Sequence, residues 1–237
     1  SASTLNPRKG KVKVLPTNSG VEFSVSSQSV KWQQETMAYL RDVYKTSLKE
    51  YLQKEYYVEF SGISSINSPA QNTFYFKPDH YRFVTEGTQA TAPIIDALKQ
   101  RLPSANARTM AEFLISWIQT IPYDDLERRE TSNGAGFEPP IHLINKNRGD
   151  CDSKVTLLAH LLKQIYPRLR MAIIYLPEHA LIGLNVSVLQ DDEVIEIDGL
   201  KFVLAEPVGP AVMEIATIDD KSKQFIDAGL YQIEKLY

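Results

Sequence analysis

The chain of 237 residues has a single cysteine, Cys151, and that scarcity removes several chemistries at once. An internal disulfide is excluded, and a structural zinc site built on several thiolates has no basis. Histidine is sparse as well: His80, His142, His160 and His179 show no ligand spacing with one another or with Cys151, so no metal is expected. No apolar run approaches the roughly 20 residues a helix needs to cross a bilayer, so no membrane span is expected. An excess of basic residues is missing too. With a net charge of −3 and a pI near 5.9, the chain offers nucleic acid or an anionic membrane surface little to bind. Internal repeats, low-complexity blocks and calcium-type loops of alternating carboxylates are also absent.

What is there reads as a globular protein. Hydrophobic residues make up 43% and charged residues 23%, enough for a full core in one large domain or two modest lobes. The sequence starts Ser-Ala-Ser without a methionine, which leaves room for a leader or anchor already removed. An extracytoplasmic location is slightly favoured over a cytoplasmic one.

Along the chain, Lys11 to Val14 and Val21 to Val25 alternate with period two and predict short strands. From about residue 33 to 54, Met37, Leu40, Tyr44, Leu48 and Tyr51 recur at helical spacing and predict an amphipathic helix. Residues 56–90 are irregular and aromatic, with a short strand expected at Tyr81 to Val84. Pro93 is expected to open a helix carrying Ile94, Ile95, Leu98 and Leu102. Ser104 is expected to cap the next, whose stripe is Met110, Phe113, Leu114, Trp117 and Ile121, with Pro122 as its stop. Residues 123–140, with Asn133-Gly134, Gly136 and Pro139-Pro140, read as a long loop placed to wall or cover a site. These patterns divide the chain into an N-terminal α/β extension, 1–91, and a core, 92–237.

The segment Gly149-Asp150-Cys151-Asp152 opens a strong helix pattern in which Val155, Leu158, Leu162 and Ile165 continue the stripe that Cys151 begins. Asp150 is a natural N-cap, and Pro167 ends the helix at Tyr166. A thiol at that end meets unpaired N–H groups and the positive helix terminus, both of which favour thiolate. Its own N–H is free to stabilise an oxyanion. A buried free cysteine is ordinarily just a small apolar residue, but two aspartates and a glycine make poor core neighbours. Asp152 and Lys154 read as a solvated helix face, with Asp152 also a candidate contact for a substrate amine.

Downstream, Met171 to Leu176 reads as a buried strand. After Pro177-Glu178, His179 begins another, with Ala180, Ile182, Leu184, Val186 and Val188 on its apolar face. Two acids compete to orient that imidazole. Asp198 stands in Asp198-Gly199, a preferred hairpin turn, while Glu206 ends the strand through Leu200, Phe202 and Leu204. With the hairpin formed, the two lie roughly 26 Å apart at ~3.3 Å per residue, so they cannot share one histidine. Asp198 has an explanation as a turn residue, whereas Glu206 needs a partner for its carboxylate. Glu206 is therefore preferred, with Asp198 the alternative.

These pieces resemble the transglutaminase-like superfamily of the papain-like fold. The resemblance runs through Tyr123, Ile141-His142-Leu143-Ile144, Asn147-Arg148-Gly149-Asp150-Cys151, His179-Ala180 and Ala205-Glu206-Pro207, over about residues 107–210. It implies an α+β core in which a cysteine at a helix N-terminus packs on an antiparallel sheet carrying histidine and acid. It further implies Cys151 as nucleophile, His179 as base and Glu206 as orienting acid. Members usually have aspartate as the acid and often an aromatic after His-Ala, where this chain has Leu181. Tyr123 and Asn145 are candidates for the second oxyanion donor, and His142 and His160 are expected to be structural.

The expected activity is cysteine-dependent acyl transfer on an amide bond of a peptide or protein, through a thioester and without a cofactor. Hydrolysis is preferred over cross-linking. A non-catalytic peptide-binding module and an arylamine acyltransferase are the competing expectations.

Overall fold

The computed structural model describes residues 12–17, 20–25, 27–54, 56–60, 75–126, 136–177, 179–209 and 212–237. The fold is α+β, and the chain forms two compact units, residues 1–77 and 78–237. No helix among the described residues is long and apolar enough to cross a membrane.

In the first unit, β1 (Val12–Thr17) and β2 (Gly20–Val25) pair antiparallel from Val12↔Val25 to Thr17↔Gly20. The helix α1 (Ser27–Lys54) begins about six residues before the start expected near residue 33. Of that stripe, Met37, Leu40, Tyr44 and Tyr51 are exposed and Leu48 is half-buried. Strands β3 (Tyr57–Phe60) and β4 (Tyr75–Pro78) form a second two-stranded sheet.

The second unit begins at Pro78, not at residue 92, because two helices of the core start before that boundary. One is α2 (His80–Thr85), where a strand was expected. The Asp79 side chain caps it by accepting from the Arg82 N–H at 3.2 Å, and it buries His80 and Val84. The other is α3 (Thr88–Arg101), which holds Pro93 in its interior. Pro93 has no N–H to offer the carbonyl four residues back, so it was a reasonable but mistaken start signal. Helix α4 (Ala107–Gln119) is capped by Asn106, which accepts from Thr109 N–H at 3.0 Å, in place of Ser104. Its buried face is Met110, Ala111, Leu114, Ile115 and Ile118, with Phe113 and Trp117 at the margin. Of the expected 123–140 loop, residues 127–135 lie outside the described residues, and Pro140 already opens α5 (Pro140–Lys146), its fixed φ suiting a first helical position.

Helix α6 (Cys151–Ile165) is the centre of the molecule's second unit. It packs against α2, α3, α4, α5 and the sheet, and every residue from Ser153 to Leu162 is buried. That includes Lys154, which is fully buried and not on a solvated face. An all-round burial of this kind erases the polar face an amphipathic surface helix would keep.

The sheet is antiparallel, in the order β7 (Val194–Ile197), β8 (Leu200–Ala205), β6 (His179–Leu184), β5 (Met171–Leu176), β9 (Gln232–Lys235). Strand alternation sends Ile173, Ala180, Ile182, Val203 and Ala205 to the α6 side. Ala172, Ile174, Leu181, Phe202 and Leu204 go to the other, where Phe225 and Ile226 of α7 (Asp220–Asp227) cover them. Both faces being covered, the central strands β5 and β6 are nearly continuously apolar. Asp198 and Gly199 turn β7 into β8 with φ of 52° and 75°, the two positive values of a type I′ hairpin.

Candidate active site

The site is built where α6 starts. Asp150 caps the helix by accepting from the Ser153 N–H at 3.2 Å, which leaves Cys151 as its first residue, half-buried. Gly149 packs closely against α5: a Cβ there would lie 2.7 Å from Leu143 Cδ1, which would have to shift. Gly149 is also the anchor of a short clasp with the segment after α4. Its N–H donates to the Pro122 carbonyl at 3.3 Å, and its carbonyl accepts from Asp124 N–H at 3.2 Å. Tyr123 bridges to Gly149 within that clasp.

Register brings the histidine to the thiol. Leu176↔His179 is the last pair of the β5–β6 ladder, so His179 emerges at one end of the central strand, beside the start of α6. The Cys151 Sγ lies 3.0 Å from His179 Nδ1, and the far nitrogen, Nε2, lies 3.7 Å from Glu206 Oε2. Burial alone would lower the His179 pKa. Hydrogen bonds and charge from Cys151 and Glu206 outweigh it and raise the ring to about 10. The ring is therefore disposed to hold its proton between the sulfur and the carboxylate.

Glu206 is buried and held from three directions. Its Oε1 accepts from Asp219 N–H at 3.2 Å, its side chain faces His179, and its backbone carbonyl accepts from Gln119 Nε2 at 2.8 Å. Gln119 also reaches the Met213 carbonyl at 3.0 Å, tying the two arms of the loop after β8. Asp198 is elsewhere, exposed in its turn and paired with Lys235 and Tyr237. The structure thus brings Cys151, His179 and Glu206 together and leaves Asp198 out.

The remaining candidates divide. Tyr123 is half-exposed at the mouth; burial raises its phenol, and the charges of Cys151 and Asp150 add to that. Asn145 is exposed in the last turn of α5, and no described contact brings it to Cys151. Asp152 already has partners within the protein. It is half-buried, accepts from Ser153 N–H at 3.0 Å and faces His80 Nε2 at 3.7 Å. His160 is buried, between Thr91 Oγ1 at 2.8 Å and the Phe83 carbonyl at 2.9 Å, while His142 is exposed and lies 3.8 Å from Glu138.

Three residues have roles that the sequence did not reveal. Gln119 lacks any motif. His80 is almost wholly buried, with Nδ1 3.0 Å from both Glu234 Oε2 and the Tyr175 hydroxyl, and it links α2 and β9 to Asp152. Lys154 donates to the Ile121 carbonyl at 2.6 Å. Asp150 itself is unusual. Burial, then the Asp152 charge and hydrogen bond, push its carboxyl up to about 8.

His179, Glu206 and Asp219 each present a ligand atom within 4.8 Å of one another. The Asp219 carboxylate is already engaged as the α7 cap, accepting from Lys221 N–H, Ser222 N–H and the Ser222 hydroxyl at 2.7, 3.0 and 2.7 Å. The donors are thus committed to hydrogen bonds, and a cation would have to displace the imidazole proton that Glu206 faces.

Comparisons with models of known families, with curated proteins and with solved structures found no match.

Proposed function

We propose that this protein is a cysteine-dependent acyl-transfer enzyme of the transglutaminase-like kind, on a papain-like core, acting hydrolytically on amide bonds of peptides or proteins. The reading is carried by one observation: a half-buried thiol at a helix N-terminus, 3.0 Å from an imidazole nitrogen whose other nitrogen faces a buried carboxylate.

In this reaction the Cys151 thiolate attacks the amide carbonyl carbon and forms a tetrahedral intermediate. The Cys151 N–H, which has no partner within the helix, donates to the oxyanion together with the positive helix terminus. The intermediate collapses to a thioester as His179 gives its proton to the departing amine. Water then enters, His179 takes one of its protons, and the acid is released with the thiolate restored. Glu206 keeps Nε2 protonated and the ring oriented throughout, as the acid does in serine triads. No step calls for a cofactor.

The test is covalent capture. A peptide electrophile incubated with the protein should add once, at Cys151, as located by mass spectrometry. Cys151→Ala should abolish both capture and peptide cleavage with the fold retained. Binding of peptide without capture or cleavage would leave a peptide-binding module instead, and transfer of the acyl group to an added amine in place of water would make it a cross-linker.

A further inference from the structure

A lysine with no exposed surface is costly. Removing an ammonium from water costs several kcal/mol unless an anion and hydrogen-bond acceptors replace the solvent. Lys154 is fully buried, and its one hydrogen-bond partner among the described residues is a neutral group, the Ile121 carbonyl at 2.6 Å. A carbonyl oxygen satisfies one N–H and leaves the charge unbalanced.

The balancing anion must come from nearby, and the helix decides where. Lys154 lies three residues beyond Cys151, on the adjacent turn of α6, where side chains are neighbours. Burial lowers the Lys154 pKa, and Cys151 and then Asp150 are the groups whose charges oppose that fall. Asp150 is itself held neutral up to about 8 by burial and by Asp152. The Cys151 sulfur, ionised in the reaction proposed above, is then the anion placed to face the ammonium.

The other charged groups around the thiol have their own partners. From β6 comes His179, itself backed by Glu206 from the end of β8. Asp152 faces His80 of α2. Just before α5, Glu138 is paired with Lys146 and lies near His142. Tyr123 is a neutral phenol at the mouth. The second consequence of Lys154 is mechanical. By holding Ile121 it ties down the chain two residues before Tyr123, alongside the clasp at Gly149.

We propose that Lys154 is a positioning residue for the nucleophile: its buried ammonium is the fixed positive charge that balances the Cys151 thiolate, and its bond to Ile121 holds the Tyr123 side of the site. The inference rests on Cys151 being the nucleophile read above, and its experiment separates the two. The full chain and its Lys154→Met and Lys154→Gln variants are alkylated with iodoacetamide at pH 6 and at pH 10. Methionine keeps the length and apolar stem without the charge. Glutamine keeps a donor for the Ile121 carbonyl, so one variant folds even where the carbonyl cannot be left bare.

The unmodified chain should react quickly at pH 6. Each folded variant should react about fivefold to tenfold more slowly there, roughly the effect of shifting an ionisation by up to one unit, and should converge with it at pH 10. Equal rates at pH 6 overturn the role of Lys154 while leaving Cys151 as nucleophile. Equal slowing at both pH values also overturns it, since that pattern marks a displaced site. Slow reaction of the unmodified chain at pH 6 overturns the activated thiol itself, and this inference with it.

Discussion

At the scale of single residues the account depends on which carboxylate stands behind the imidazole. Glu206→Gln keeps the shape and the backbone bond from Gln119 but withdraws the charge that holds His179 protonated at Nε2. We expect covalent capture by a peptide electrophile to slow by about a hundredfold, within the usual range for removing a positioned acid–base partner. Asp198→Asn should change it by about twofold or less, because Asp198 is an exposed turn residue paired with Lys235. A larger loss at Asp198 would contradict the assignment. The choice between these acids was legible in sequence because Asp198-Gly199 announces its own turn while Glu206 ends an apolar strand face. Lys154, His80 and Gln119 were not legible, and the reason is common to all three. Their importance lies in partners distant in the chain: Ile121 for Lys154, Glu234 and Asp152 for His80, Glu206 and Met213 for Gln119. Local periodicity carries no trace of such contacts.

At the scale of elements, α6 sets the chemistry through its first turn. Asp150 is a good cap but a strained acid, its carboxyl raised to about 8 by burial and Asp152. A carboxyl higher in the folded than in the unfolded chain binds an extra proton when folded, so its effect is to lower stability as pH climbs from about 4 to about 8. Asparagine caps about as well as aspartate and does not titrate. Asp150→Asn should therefore leave the unfolding midpoint near pH 4 unchanged and raise it at pH 8, as followed by thermal melts at the two pH values. A variant less stable at pH 8 would mean the charged cap is an asset. The sequence showed the start of α6 and its cap to the residue and its end to within one, since capping and proline stops are local. It misjudged the polar face, because a helix surrounded by four others and a sheet has none. The same limit explains α2 and α5: each is under eight residues, too short for a period to declare itself, and each exists by packing on α6.

At the scale of the molecule, Cys151, His179 and Glu206, with Gln119, Lys154 and His80, all fall within residues 78–237. That unit has its own core, made by α6 and both faces of the five-stranded sheet. Residues 78–237 made alone should unfold in one cooperative thermal transition and label at Cys151 with iodoacetamide at the rate of the full chain. A molten fragment, without a cooperative transition, would show that the first unit completes the fold. A division at residue 92 would have cut away α2 and with it the buried His80 and Val84.

The central claim is a thiolate paired with an imidazolium, and the most direct measurement is the rate of Cys151 alkylation by iodoacetamide across pH. With the His179 ring raised to about 10, the pair persists through the neutral range. The rate should be nearly level from pH 7 to pH 9. A rate that climbs about tenfold per unit toward an inflection near 8.5, as an ordinary cysteine does, would contradict it.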